Sequence, residues 1–294
     1  MKTRGVIIMA AGHAQYGQMA LTLAMGIKHC DPQDLLNSNS IKVCLAYHGG
    51  ATGMIQHYMN IFDDTIEIPQ EYVTRNGFES LLKAKCYLYE LSPYDETIYI
   101  DADVIWSPKK KISALFEELK DLDFTVGTRN RISLKDNPRG FQWADGRDII
   151  KKYGFDGDSY NLSSEFMYFK KTKKIQAFFK AAQSAFEDPG VDYKRFAAGV
   201  PDELAFQIAM MQTGIKPHKD QFLPFYWEPY MKMKLQPKDL YDAHWGYSIG
   251  GSMLSDLQKG IYNALSQYYA KQYGLKRHFP CRSKREWSKF RTQI

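Results

Sequence analysis

Thr97-Ile98-Tyr99-Ile100-Asp101-Ala102-Asp103-Val104 is an apolar, β-favouring run that ends in two aspartates one residue apart. The apolar half reads as a buried strand, and carboxylates directly after such a strand lie at its carboxyl end, where open α/β sheets bind ligands. Strand alternation sets Asp101 and Asp103 on one side and Ala102 on the other. Two carboxylates on one side can reach one hard divalent cation, and that cation can grip diphosphate oxygens. The same spacing also fits two turn or cap aspartates with no chemistry.

The sequence on either side extends the pattern into an α/β fold, with short β-rich runs alternating with longer helical ones. Upstream, Val6-Ile7-Ile8-Met9 is a buried strand that ends in the small residues Ala10-Ala11-Gly12, followed by a helix over 16–29. Strands are expected at 41–47 and 65–68, and a helix over 80–91 that Pro93-Tyr94-Asp95 turns into the aspartate strand. Downstream, a helix over 112–119 and a strand over 124–127 precede a polar, Gly/Asn-rich stretch over 128–160. That stretch reads as a long excursion over a cleft. A strand over 166–169 and helices over 174–186 and 201–213 follow, the last opening with Pro201-Asp202-Glu203, residues suited to a helix N-terminus. The expected architecture is a mainly parallel, Rossmann-like sheet flanked by helices over 1–250, with a helical basic extension over 251–294.

Composition supports an ordinary globular chain of 294 residues, 44% hydrophobic and 24% charged. No stretch approaches the ~18 consecutive apolar residues of a membrane span, and the start is too short in its apolar run for a signal peptide. The expectation is a soluble, cytoplasmic protein, in host cytoplasm if the source is viral. Cys30, Cys44, Cys86 and Cys281 lack zinc spacing and read as small buried side chains in a reducing compartment. The formal net charge of +6 is confined to the end: residues 276–294 carry seven basic side chains and one acid, Glu286. Such a run is either a solvated helix face or a docking surface for a polyanion or an anionic membrane.

Beyond the paired aspartates, Lys85-Cys86-Tyr87-Leu88-Tyr89-Glu90-Leu91-Ser92-Pro93-Tyr94-Asp95 with Ile98-Tyr99-Ile100-Asp101-Ala102-Asp103-Val104 resembles the helix, turn and Asp-x-Asp strand of glycogenin-like glycosyltransferases of family 8. The resemblance covers roughly residues 5 to 250. It implies a GT-A fold, a nucleoside-diphosphate sugar donor with a UDP-sugar expected, Mn²⁺ or Mg²⁺, and retention of anomeric configuration. Residue by residue, it implies metal binding by Asp101, Asp103 and His244, the last within Asp242-Ala243-His244-Trp245-Gly246. Donor contacts are implied for Ala10, Ala11, Tyr16, Lys85 and Ala102, with the Tyr16 ring against the base. Asp202, Glu203 and Glu165 become the candidate catalytic carboxylates. The chain departs from the family pattern where Glu165 replaces Gly, Glu203 replaces Gln, Gly246 follows His244 one residue early, and Gly250 stands where a Lys is expected.

Each of these residues also has a plain structural reading. Lys85 fits a solvated helix lysine, Tyr16 a core-edge aromatic, His244 a hydrogen-bonded core histidine and Asp202 a helix-start carboxylate. Two other functions compete. Met9-Ala10-Ala11-Gly12 is similar to the loop of sugar-phosphate nucleotidyltransferases, although Gln18 stands in place of Arg, and a non-catalytic nucleotide-sugar or nucleic-acid binding protein is the other. For the acceptor, the basic tail over 276–291, interleaved with Trp287 and Phe290, favours a polyanion, with hydroxymethylated DNA of a virus as one version and a saccharide or lipopolysaccharide hydroxyl as the alternative.

Overall fold

A computed structural model describes residues 3–32, 40–196, 199–226, 244–249 and 256–275. Its elements in chain order are β1 (Arg4–Gly12), α1 (Ala14–Cys30), β2 (Lys42–Gly49), β3 (Asp64–Glu67), the short pair β4 (Thr74–Arg75) and β5 (Phe78–Glu79), α2 (Leu88–Leu91), β6 (Glu96–Asp101), β7 (Val104–Trp106), α3 (Ile112–Leu119), β8 (Phe124–Ser133), α4 (Gly146–Tyr153), β9 (Asp158–Lys170), α5 (Lys173–Glu187), α6 (Asp202–Thr213), β10 (Phe225–Tyr226), β11 (Gly246–Ser248) and α7 (Asp256–Gln272). Six strands form a mixed, mostly parallel sheet in the order β3-β2-β1-β6-β9-β8, with β8 and β9 antiparallel. The central strands are covered on both faces, so they read as unbroken apolar runs: Val6, Ile7 and Ile8 in β1, and Ile98, Tyr99 and Ile100 in β6, are fully buried.

The chain divides into two compact units. The first comprises Met1–Ile7, Ile66–Tyr99 and Leu119–Leu223. An aromatic core holds it together, with Phe178 packed on Phe124 at 4.6 Å and Phe179 on Phe169 at 5.1 Å between ring centres. With Ile175 and Ala182, also buried, Phe178 and Phe179 make an i, i+3, i+4, i+7 stripe along α5. The second unit comprises Ile8–Thr65, Ile100–Glu118 and Pro224–Ile294. Here α7 packs on α1: the Tyr262 hydroxyl donates to Thr22 Oγ1 at 3.1 Å, and the Tyr269 hydroxyl to the Trp106 carbonyl at 3.0 Å. A Cβ on Gly26 of α1 would lie 2.9 Å from the Tyr269 ring, so the helices can approach only because that residue is glycine.

Two expectations change. The segment expected as a helix over 80–91 is 3-10 wound over Leu81–Tyr87, with one α turn after it. Lys83 and Lys85 are both buried in that segment, and their tertiary partners override the helical pattern. The stretch over 128–160 is no irregular excursion. β8 continues to Ser133 and β9 starts at Asp158, and between them a 3-10 turn (Pro138–Gly140) and α4 are formed. Three consecutive polar residues, Arg129, Asn130 and Arg131, hide the strand from a hydropathy reading. So do register shifts between Val126 and Gly127 and between Thr128 and Asn130. Cys44 and Cys86 are buried, as expected, Cys30 is half-buried, and Cys281 lies outside the described residues.

Candidate active site

In the first unit, four ionisable side chains from three distant segments converge. Lys85 comes from the 3-10 segment, Arg129 from β8, and Asp202 and Glu203 from the start of α6, where the unpaired amides and the helix dipole favour negative charge. The Lys85 Nζ lies 3.3 Å from Asp202 Oδ2 and donates to Ser164 Oγ at 3.3 Å. It also sits 5.6 Å from the centre of the Tyr99 ring. Asp202 Oδ2 accepts no hydrogen bond, so the pair is held by charge alone. Both side chains are buried, and such a pair is costly to break from one side.

Glu203 has the fullest set of donors. Trp143 Nε1 donates to its Oε2 at 2.6 Å and Gln142 Nε2 at 2.8 Å. Its Oε1 accepts from the Ser164 backbone amide at 3.3 Å and from Arg129 at 3.4 Å. Only 7% of Glu203 is exposed, and this burial pushes its carboxyl up to about 7. Arg129 opposes the rise, Asp202 adds to it, and the Trp143 hydrogen bond opposes it. A carboxyl poised near neutrality can give or take a proton at working pH.

A break in the β8–β9 register positions Ser164 for this role. Val126 pairs with Met167, whereas the adjacent Gly127 pairs with Ser163, so the register shifts across Ser164, Glu165 and Phe166. Gly127 is required at the bulge, because a Cβ there would lie 2.3 Å from the Ser163 carbonyl oxygen. The bulge frees the Ser164 amide for Glu203 and leaves Glu165 half-buried beside it.

The second unit holds the remaining candidates. Ala10 and Ala11 end β1 in buried positions, and Gly12 turns the chain with φ 79°. His13 caps α1, its Nδ1 accepting from the Gln15 amide at 3.2 Å. Tyr16 stands in the first turn with 37% of its surface exposed, as a ring offered to a ligand must be. Gly17 brings this turn against residues 50–52: a Cβ would lie 1.9 Å from the Ala51 carbonyl oxygen. Asp101 ends β6, Ala102 is buried, and Asp103 precedes β7. Both aspartates are half-buried, and their oxygens are the donor chemistry a hard divalent cation takes.

β11 pairs with β7 so that Ser248 faces Val104, and the Ile249 amide donates to the Asp103 carbonyl at 2.8 Å. His244 lies two residues before β11. Among the described residues, no three His, Cys, Asp or Glu side chains converge to hold a metal ion. Sequence reading missed Arg129, Gln142, Trp143 and Ser164. A tryptophan within a polar stretch was the one available signal.

No protein-family model and no curated protein sequence matches the chain. Its fold is similar to that of solved glycosyltransferases. One is the bifunctional glycosyltransferase WbbM in its apo form, with a TM-score of 0.55 and 11% identity over 92% of this chain; the chain spans 50% of WbbM. Another is the galactosyltransferase LgtC in complex with donor and acceptor sugar analogues, with a TM-score of 0.55 and 13% identity, covering 91% of this chain and 95% of LgtC. At these identities the likeness shows the fold, an α/β domain of GT-A type. Among the described residues, no helix is long and apolar enough to cross a membrane.

Proposed function

We propose that the chain is a nucleotide-sugar-dependent glycosyltransferase that moves a sugar from a nucleoside-diphosphate donor, with a UDP-sugar expected, to an acceptor hydroxyl. The observation that carries this reading is the buried Lys85, Asp202 and Glu203 cluster at a helix start in a domain of GT-A type. A carboxyl held near neutrality by burial, with four hydrogen-bonding partners around it, is the kind of group active sites use. In this reading Asp101 and Asp103 would hold Mn²⁺ or Mg²⁺, which would supply charge neutralisation at the leaving phosphate. Ala10, Ala11 and Ala102 leave room for close approach of the nucleotide, and Tyr16 supplies a stacking face.

Transfer breaks the bond between the anomeric carbon and the donor phosphate oxygen and forms one to the acceptor oxygen, whose proton must leave. Glu203 is assigned the proton transfer. Asp202 and Lys85 orient sugar or phosphate oxygens, and Glu165 contributes to sugar choice. The basic tail over 276–291 lies outside the described residues.

The reading is tested by a donor-hydrolysis screen across sugar nucleotides with Mn²⁺ and with EDTA. Hydrolysis of at least one donor that needs the cation and is lost in Glu203→Ala supports it. Absence of hydrolysis and of nucleotide binding with every donor refutes it.

A further inference from the structure

Three amide side chains close a ring with Glu203 in the first unit. Glu203 and Gln207 stand one turn apart on the same face of α6. Gln207 Nε2 donates to the Tyr160 carbonyl at 2.7 Å, and the next residue, Asn161, donates through Nδ2 to the Gly140 carbonyl at 3.0 Å. Two residues after Gly140, Gln142 Nε2 donates to Glu203 Oε2 at 2.8 Å and completes the circuit. These bonds fix which way each amide points, since turning one over would set oxygen against oxygen. The three amide oxygens, Gln142 Oε1, Asn161 Oδ1 and Gln207 Oε1, are buried and accept no hydrogen bond from the described residues.

A carboxyl raised to about 7 carries its proton below that pH, and its O–H then needs an acceptor. The four partners of Glu203 cannot supply one: the Trp143 indole N–H, the Arg129 guanidinium, the Gln142 NH₂ and the Ser164 backbone N–H only donate. Of the other charged neighbours, Lys85 only donates, and the Asp202 carboxylate faces Lys85. The ring thus joins one donor without an acceptor to three acceptors without a donor. A water molecule meets both needs. It accepts through its oxygen and donates through two hydrogens, and buried waters take about three hydrogen bonds to groups of this kind.

We propose that Gln142, Asn161 and Gln207 bind one buried water, which accepts the Glu203 O–H and carries its proton to solvent. On ionisation the Glu203 O–H bond breaks and its electron pair stays on the carboxylate. The bound water takes the proton and passes one of its own to bulk water. Gln142 and Asn161 are half-buried, so the ring meets solvent on their side. The water site needs no sugar donor and stands apart from the glycosyltransferase reading.

The test is a crystal structure of the full chain at pH 6 that resolves ordered water, with the Glu203 titration followed by ¹³C NMR of glutamate-labelled wild type and Gln207→Met. Glu203→Gln identifies the signal. One water should lie within about 3.2 Å of a Glu203 carboxyl oxygen and of at least two of the three amide oxygens. A bond accepted from the O–H favours the neutral carboxyl, so Gln207→Met should move the Glu203 titration down by about 0.5–1 pH unit, the scale of one hydrogen bond. A merely structural role for Gln207 would lower stability and leave the titration in place. The proposal is overturned by a ring that holds no water, by an ion bound there in its stead, or by a titration in Gln207→Met that is unmoved or raised. A lowered titration with no water in the wild-type ring also overturns it, because Gln207 Oε1 then accepts the O–H itself. If Gln207→Met does not fold, the wild-type structure decides.

Discussion

The indole N–H of Trp143 donates to Glu203 Oε2 across 2.6 Å, joining a residue of the polar stretch after β8 to the first turn of α6. Because the bond stabilises the charged carboxylate, it works against the burial that raises the Glu203 carboxyl. Trp143→Phe keeps the ring and removes the donor. Its pH–rate profile should therefore keep its limb near neutrality but move it to higher pH than in wild type. An unmoved limb would separate Trp143 from the protonation of Glu203.

The same carboxyl makes folding stability depend on pH with a definite sign. A group raised to about 7 in the folded chain, against 4.5 ordinarily, holds its proton more tightly when folded. The unfolding free energy should thus fall as pH rises from about 4.5 to about 7 and then level off, by an amount on the order of 3 kcal/mol for this one group. In Glu203→Gln this part of the decline should vanish. Urea titrations of both chains at pH 5 and pH 8 make the comparison; equal pH dependence in the two would place the titration elsewhere.

Lys85 and Asp202 form a buried pair held at 3.3 Å. Lys85→Met should cost about 3–5 kcal/mol by leaving a buried carboxylate without its cation. The double variant Lys85→Met with Asp202→Asn should recover part of that loss. Denaturant melts read both, and a single variant as stable as wild type would show that the pair is not buried in solution.

Gly17 allows the first turn of α1 to lie on the backbone of Ala51. Gly17→Ala should destabilise the chain by about 1–3 kcal/mol, since the clash is with a carbonyl and outweighs the better helix propensity of alanine. It should also weaken nucleotide binding through the neighbouring Tyr16. Calorimetry with UDP reads the second effect, and unaltered binding would detach Tyr16 from the donor.

What could be read in the sequence follows from which contacts are local. Val6–Met9 and Thr97–Ile100 are strands buried on both faces, so their apolar runs announce them without any partner. Asp101 and Asp103 stand out in the sequence because they follow such an apolar run directly. The surroundings of Glu203 do not, because Arg129, Gln142 and Trp143 lie in a stretch where exposed strand positions and a bulge erase the period of two. The register of β11 on β7, which sets Ile249 beside Asp103, is likewise fixed by no local pattern.

The central claim, a metal-dependent nucleotide-sugar donor site at Asp101 and Asp103, is tested most directly by calorimetry of UDP-sugar binding with and without Mn²⁺. Wild type and Asp103→Asn are compared after their folding has been matched by circular dichroism. Binding should require Mn²⁺ in wild type and drop by at least about tenfold in the variant, the scale set by loss of one charged contact. Binding that is equal in the two chains, or indifferent to Mn²⁺ and EDTA, would contradict it.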